Sequence, residues 1–255
     1  MSEEPLDMPS GEELPLSAGA RVLCRAAGLV ALYKPEGLRA HPNESGRVDK
    51  GALLAAPYDL KRECYLLQDG RQVHLLHRLD GPTSGLLIVC TDASLAEIVR
   101  GLFARHMVKK RYEALVFGNA GKGRQQWRDR LRTEKGGAGA RTSAGAGDIA
   151  TAAMSVIASG TVRNGLPVSH IALEPGTGRT HQLRVQCATR QLPIIGDATY
   201  GNFAWNKRAA KELGLKRLCL HSASITLEYE RAGKMSQFTA KCPAPDEFSA
   251  LFKIS

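Results

Sequence analysis

The stretch His77-Arg78-Leu79-Asp80-Gly81-Pro82-Thr83-Ser84-Gly85 places a carboxylate, Asp80, two residues from a guanidinium, Arg78, and follows both with turn residues. Proline presets one backbone angle and glycine accepts angles that other residues avoid, so Asp80 is expected on a rigid bend. Leu86-Leu87-Ile88-Val89 then reads as a short buried strand. A carboxylate on a turn beside a core strand is held still enough to serve as a general base or a nucleophile. Turn chemistry alone describes equally well a surface bend with an Arg–Asp pair. Against that bland alternative stand two further stretches rich in functional side chains. One is Lys34-Pro35-Glu36-Gly37 with His41-Pro42, and the other is Gly178-Arg179-Thr180-His181-Gln182-Leu183-Arg184-Val185.

The elements that must position these groups are partly legible. Leu29–Tyr33 reads as a core strand ended by the Pro35 and Gly37 turn, and Tyr112–Val116 as another. Between them, Asp92 or Ser94 can cap a helix, Glu97 completes a capping box from Ser94, and Leu95, Ile98, Val99, Leu102 and Phe103 mark one face. Residues 43–72 are ambiguous, with a short helix near Gly51–Ala56 as one option. From about Glu134 to Asp148 the chain is Gly, Ala and Ser with a few charges, which predicts a long mobile loop. Strand-like runs at Ala152–Ala158 and Val168–Leu173 are joined by Asn164-Gly165 as a hairpin turn. A helix is expected over Thr180–Arg190, and a final strand over Leu218–Tyr229. Hairpins and packed helices in this mixture predict an α+β fold with a mainly antiparallel central sheet and flanking helices.

Composition narrows the function. The 255 residues carry a formal net charge of +10, and Met1–Ala18 holds five acids without a Lys or Arg, so the remaining body is more basic than the total. A polyanion such as a nucleic acid is the partner this favours, with a merely solubilising basic surface as the alternative. Met1–Ala18 reads as a flexible acidic tail and 19–255 as one domain. No run approaches membrane-spanning length and no secretory leader is evident, which predicts a soluble cytoplasmic protein with no membrane partner. The six cysteines include no C-x-x-C pair, so they read as structural thiols in a reducing compartment, with no metal site.

The stretches fall in a recognisable order: Lys34-Pro35-Glu36-Gly37; His77 to Leu87; Lys110-Arg111-Tyr112-Glu113-Ala114-Leu115-Val116; Gly178 to Val185; Gly196-Asp197-Ala198-Thr199-Tyr200-Gly201; and Leu220-His221-Ser222-Ala223. In this order they resemble the RluA-type pseudouridine synthases, RNA uridine isomerases, from about Gly28 to Phe248. The resemblance implies the pseudouridine synthase fold, an RNA-binding cleft, action on rRNA or tRNA, and neither cofactor nor metal. It assigns the catalytic aspartate to Asp80, the base-stacking aromatic to Tyr112, the cation paired with the aspartate to Arg184, and the apolar residue beneath the base to Leu183. Arg78 matches the arginine that fills the space left by the flipped nucleotide. The chain departs from the pattern at Gln186, where many relatives carry His. It also lacks room before Gly28 for the small S4 RNA-binding domain of some relatives, and it is expected to act as a monomer.

The chemistry asks for the same groups independently. Moving uracil from an N1 to a C5 link requires detaching, rotating and reattaching the base. A single carboxylate can start this as nucleophile or by removing a ribose proton. A cation keeps the acid ionised, an aromatic face holds the loose base, and the target must first leave its stack. His77 and His181 read as structural hydrogen-bonders, because this reaction needs no second acid, and Asp197 as a turn or scaffold acid. A non-catalytic RNA-binding protein on the same scaffold would not need Asp80. A glycosidase would want a second carboxylate that no matching stretch offers.

Overall fold

The computed structural model describes residues 13–136, 139–162 and 165–252. They group into two compact units, one running to Val108 with the return segment Ile225–Cys242, the other comprising Lys109–Ser224 and the chain from Pro243.

In the first unit, β1 (Arg21–Ala26) and β2 (Leu29–Lys34) form a hairpin. Its two turn residues, Ala27 and Gly28, have φ of 51° and 91°. Positive angles at both positions match the twist of the flanking strands. Beside β2 runs β6 (Ser84–Cys90), antiparallel and buried at every position, in a register from Leu29↔Cys90 to Lys34↔Gly85. Both faces of β6 are covered, which is why its sequence is a continuous apolar run without alternation. Three short strands, β3 (Tyr58–Asp59), β4 (Cys64–Leu66) and β5 (Gln72–Leu75), extend the sheet from β6. Helix α1 (Ala93–Ala104) is capped by Asp92, whose side chain accepts the Leu95 N–H, while Ser94 donates to the same carboxylate oxygen. Its buried face is Leu95, Ala96, Val99 and Leu102, and Ile98 lies on the exposed side.

The second unit is built on β7 (Lys109–Phe117), β8 (Arg124–Gly136), β9 (Gly139–Ala144), β10 (Asp148–Val162) and β11 (Leu166–Pro175), in the order β7-β11-β10-β8-β9. Helices α2 (Gln182–Thr189), α3 (Phe203–Glu212) and α4 (Asp246–Ala250) belong to it. Strand β12 (Leu220–Arg231) starts in this unit and ends in the first, where β13 (Lys234–Lys241) pairs with it. The mainly antiparallel α+β expectation holds.

Three local expectations need correction. The stretch Glu134–Asp148 carries β9 and the adjoining ends of β8 and β10, not a structureless loop. Thr142 is the anchor: its side chain is buried, bonds Thr133 Oγ1 at 2.8 Å and donates to the Thr180 carbonyl at 2.9 Å. Of the flexible tail expected over 1–18, residues 1–12 lie outside the described residues. Leu14 and Ser17 are buried, and the Ser17 N–H reaches the Leu53 carbonyl at 3.0 Å. No helix forms at Gly51–Ala56: Leu53 and Leu54 are fully buried in an irregular segment, and Pro57 disfavours the helical conformation at Ala56. The tip of the β10–β11 hairpin at Asn164 lies outside the described residues.

Among the described residues no disulfide joins the six cysteines, and burial pushes the Cys187 thiol far above its ordinary value. No helix among the described residues is long and apolar enough to cross a membrane.

Candidate active site

Asp80 sits in the first unit on the bend between β5 and β6. The Thr83 N–H donates to the Asp80 carbonyl at 3.0 Å and closes the turn. The next carbonyl, that of Gly81, is held twice from the turn after β2: by the Gly37 N–H at 2.9 Å and by Lys34 Nζ at 3.0 Å. Lys34 is 0% exposed, and its ammonium also donates to the carbonyls of Leu38 at 2.7 Å and Pro35 at 3.0 Å. A buried charge is tolerated only when its donors are met, and here meeting them fastens the bend carrying Asp80. Sequence reasoning gave Lys34 no role of its own. The available signal was a lysine closing the apolar run Leu29–Tyr33 immediately before a proline.

Around that bend, Asp80 is half-buried, Leu79 buried and Arg78 exposed. His77 Nε2 accepts the Ile88 N–H at 3.0 Å, and its ring stacks on Phe103 at 4.7 Å between centroids. His77 thus carries the structural hydrogen bond expected of it.

The other expected residues belong to the second unit. Tyr112 lies on β7 opposite Leu173, half-buried against the core that includes Leu183. Leu183 and Arg184 occupy the first turn of α2 and are both buried. The Arg184 guanidinium makes a two-pronged fork, Nε to Asp197 Oδ2 and Nη2 to Asp197 Oδ1, each at 2.8 Å, and the two side chains are 6% and 1% exposed. The same Oδ1 accepts the N–H groups of Thr199 at 2.8 Å and Tyr200 at 3.0 Å. Burial pulls the Asp197 carboxyl upward, but the Arg184 guanidinium and these two N–H groups outweigh it and hold it below the usual carboxylate range.

The turn around Asp197 has no slack. Gly196 has φ of 76°, and a Cβ there would lie 1.8 Å from the Arg217 carbonyl oxygen, so only glycine fits. Asn206 spans the turn, accepting the Gly196 N–H at 2.9 Å and donating to the Asp197 carbonyl at 3.0 Å. Asp197 is therefore the scaffold acid expected, and it also orients Arg184.

Polar side chains tie α2 to the strands beneath it. Gln182 accepts from Thr177 Oγ1 at 2.6 Å and the Arg179 N–H at 3.1 Å, and donates to the Thr151 carbonyl at 2.9 Å. Gln186, fully buried, donates to Asp129 at 2.7 Å, a carboxylate that Arg190 also pairs with at 3.0 Å. The Tyr200 hydroxyl accepts the Thr142 N–H and bonds His181 Nδ1, both at 2.9 Å. Close to Tyr112 on the same strand, Lys110 has its pKa lowered by burial, and its Nζ lies 3.7 Å from where a side chain on Gly178 would begin.

The two carboxylates differ in exposure: Asp197 is buried and held by Arg184 and two backbone N–H groups, whereas Asp80 is half-exposed. Among the described residues no group of three or more His, Cys, Asp or Glu side chains is placed to hold a metal ion.

Comparison with known proteins gives a consistent result. A family model described as RNA pseudouridylate synthase matches residues 28–189, a span that contains Asp80, Tyr112, Leu183 and Arg184. The tRNA pseudouridine synthase C of Salmonella typhi is 31% identical over 225 residues, covering 84% of this chain and 82% of that protein. The protein of the same name from Haemophilus ducreyi is 30% identical over 243 residues, covering 91% and 93%. Among solved structures, Human RNA Pseudouridylate Synthase Domain Containing 1 shares the fold with a TM-score of 0.67, at 23% identity, over 96% of this chain and 90% of that one.

Proposed function

This chain belongs to the RNA pseudouridylate synthase family and is an RNA isomerase, and on that premise we propose that Asp80 is the carboxylate that converts a uridine in structured RNA to pseudouridine. The observation carrying the assignment is the fixed, accessible bend: Asp80 stands half-exposed on a turn pinned by Lys34 and Gly37, inside the span matched by the family model.

In this reading the N1–C1′ bond breaks and a C5–C1′ bond forms. The C5 hydrogen leaves as a proton while N1 gains one, so the reaction needs no oxidant or reductant. Asp80 opens the glycosidic bond, by attack or by ribose proton removal. Tyr112 offers the loose uracil a π-face, an interaction worth about 1–3 kcal/mol per base, and Leu183 lies beneath the base. Arg184 is the cation proposed to face the acid, and its orientation is set by Asp197. Arg78 takes the place of the flipped nucleotide, offsetting an unstacking cost of about a few kcal/mol.

The proposed substrate is a transfer RNA, supported by the names of the relatives above. The enzyme acts in the cytoplasm as a monomer and uses no metal. The test is tritium release from tRNA labelled at uridine C5, run with pre-folded RNA and excess EDTA. Turnover under those conditions is the expected result. No release from total tRNA or rRNA would sink the substrate class, and loss of turnover on adding EDTA would sink the metal-free mechanism.

A further inference from the structure

The long strand β8 has two unlike faces. Trp127, Asp129 and Leu131 point to the side on which α2 packs: Gln186 and Arg190 bond Asp129, and Val185 packs with Leu131 and Ala150. On the other side, Arg124, Arg128, Arg130 and Arg132 are all exposed at alternate positions. Successive arginines of this row therefore stand about 6.8 Å apart along the strand, with a gap at Gln126. Their cross-strand neighbours are uncharged: Ser155, Thr151 and Ile149 on β10, and Ser143 on β9.

The acids nearby are taken up unevenly. Glu174 pairs with Arg124 at 2.7 Å and Glu134 with Arg132 at 3.2 Å. Arg128 has no ion-pair partner among the described residues, and Arg130 donates only to the Gly147 carbonyl at 3.2 Å. An exposed sheet face built to be merely soluble intersperses both signs. This one keeps a linear cationic row, open at its centre, on a protein whose substrate is a linear polyanion.

We propose that this face is a second RNA-contact surface, binding phosphates of the substrate away from the target uridine. Arg184 and Leu183 sit on α2, on the opposite side of β8. RNA engaged at both places must continue past β9, the edge strand in the order of this unit. The surface therefore recognises an extended folded RNA and not the few nucleotides flanking the modified base. Contacts to phosphate position the ligand without reading sequence, so the row contributes affinity and register, and leaves chemistry untouched. The inference rests on the RNA substrate class established for the family.

The test compares Arg128→Gln/Arg130→Gln with a control of equal charge change, Lys234→Gln/Lys241→Gln, whose lysines are exposed on β13. Affinity is measured over a range of salt on a full-length tRNA transcript and on its isolated target stem-loop. The arginine pair is expected to bind full-length RNA at least about tenfold more weakly, with the log–log salt slope shallower by about 1–2. Stem-loop affinity and the single-turnover rate at saturating RNA stay within about twofold of wild type. Three results overturn the proposal: full-length binding no weaker than the control's, an unchanged salt slope, or an equal loss on the stem-loop. A wild-type protein that modifies no RNA at all would instead overturn the functional assignment itself.

Discussion

The turn at Asp80 and the turn at Asp197 are built from similar residues, but one acid is half-exposed and the other buried. Each presents an aspartate on a glycine-containing bend clamped from elsewhere in its own unit. At Asp80 the clamp grips the backbone: Lys34 and Gly37 hold the Gly81 carbonyl and Thr83 closes the turn. At Asp197 the carboxylate is held by the Arg184 fork and two N–H groups. A buried carboxylate held by a guanidinium and two N–H groups serves as scaffold, whereas a half-exposed one on a fixed bend stays in place and remains accessible. Burial thus separates the scaffold acid from the acid proposed for the reaction.

The sharpest way to break this comparison is to neutralise each acid. Asp80→Asn should lower tritium release by about a thousandfold or more, within the range that a positioned acid–base group supplies, while RNA affinity stays within about tenfold. Appreciable turnover by this variant, on RNA that the wild type modifies, would remove Asp80 from the mechanism. Asp197→Asn should act first on stability. Leaving a buried guanidinium without its counter-charge costs about 3–5 kcal/mol, to be read from the urea midpoint. A variant that unfolds with the wild-type midpoint would show that the fork does not support the fold.

Acid titration sharpens the same contrast. The folded pKa of Asp197 is depressed, so its stabilisation is complete above the unfolded value of about 3.9 and is lost as pH falls through the folded pKa. The helix cap Asp92 behaves likewise. The Leu95 N–H, Ser94 and the ion pair with Arg231 push it down to about 2. Wild-type stability should therefore decline from just below pH 4, and Asp197→Asn should show a shallower decline over that window. Parallel urea midpoints for the two proteins between pH 5 and pH 3 would contradict the assignment. The smallest effect belongs to Arg78→Ala. Arg78 is exposed, so stability should change by less than about 0.5 kcal/mol, while formation of the flipped complex slows, seen with 2-aminopurine beside the target uridine. Flipping kinetics equal to wild type would take Arg78 out of that step.

Much of the frame could be read from local pattern. The apolar run of β6, the Asp92 cap, the α2 helix and the β10–β11 hairpin each follow from residues within a few positions of one another. The exceptions share a cause. Glu134–Asp148 looks like linker because Gly, Ala and Ser carry no apolar period, yet Thr142 fastens it to Thr180 and Tyr200, 38 and 58 residues away. Leu53 and Leu54 suggest a helix locally, and their burial in the first unit's core overrides that preference.

By itself the sequence determined the family, the reaction class, the candidate acid and the basic character of the body, because ordered motifs and charge are properties of the chain. Tertiary structure alone decided that Lys34 reaches across 47 residues to the Gly81 carbonyl, and that Arg184 is gripped by Asp197, 13 residues on. It also decided that four arginines of β8 share one open face. Local spacing encodes the contacts within a turn of helix or along a strand. Which distant carbonyl, carboxylate or solvent-facing side a charge finds depends on the packing that brings those segments together.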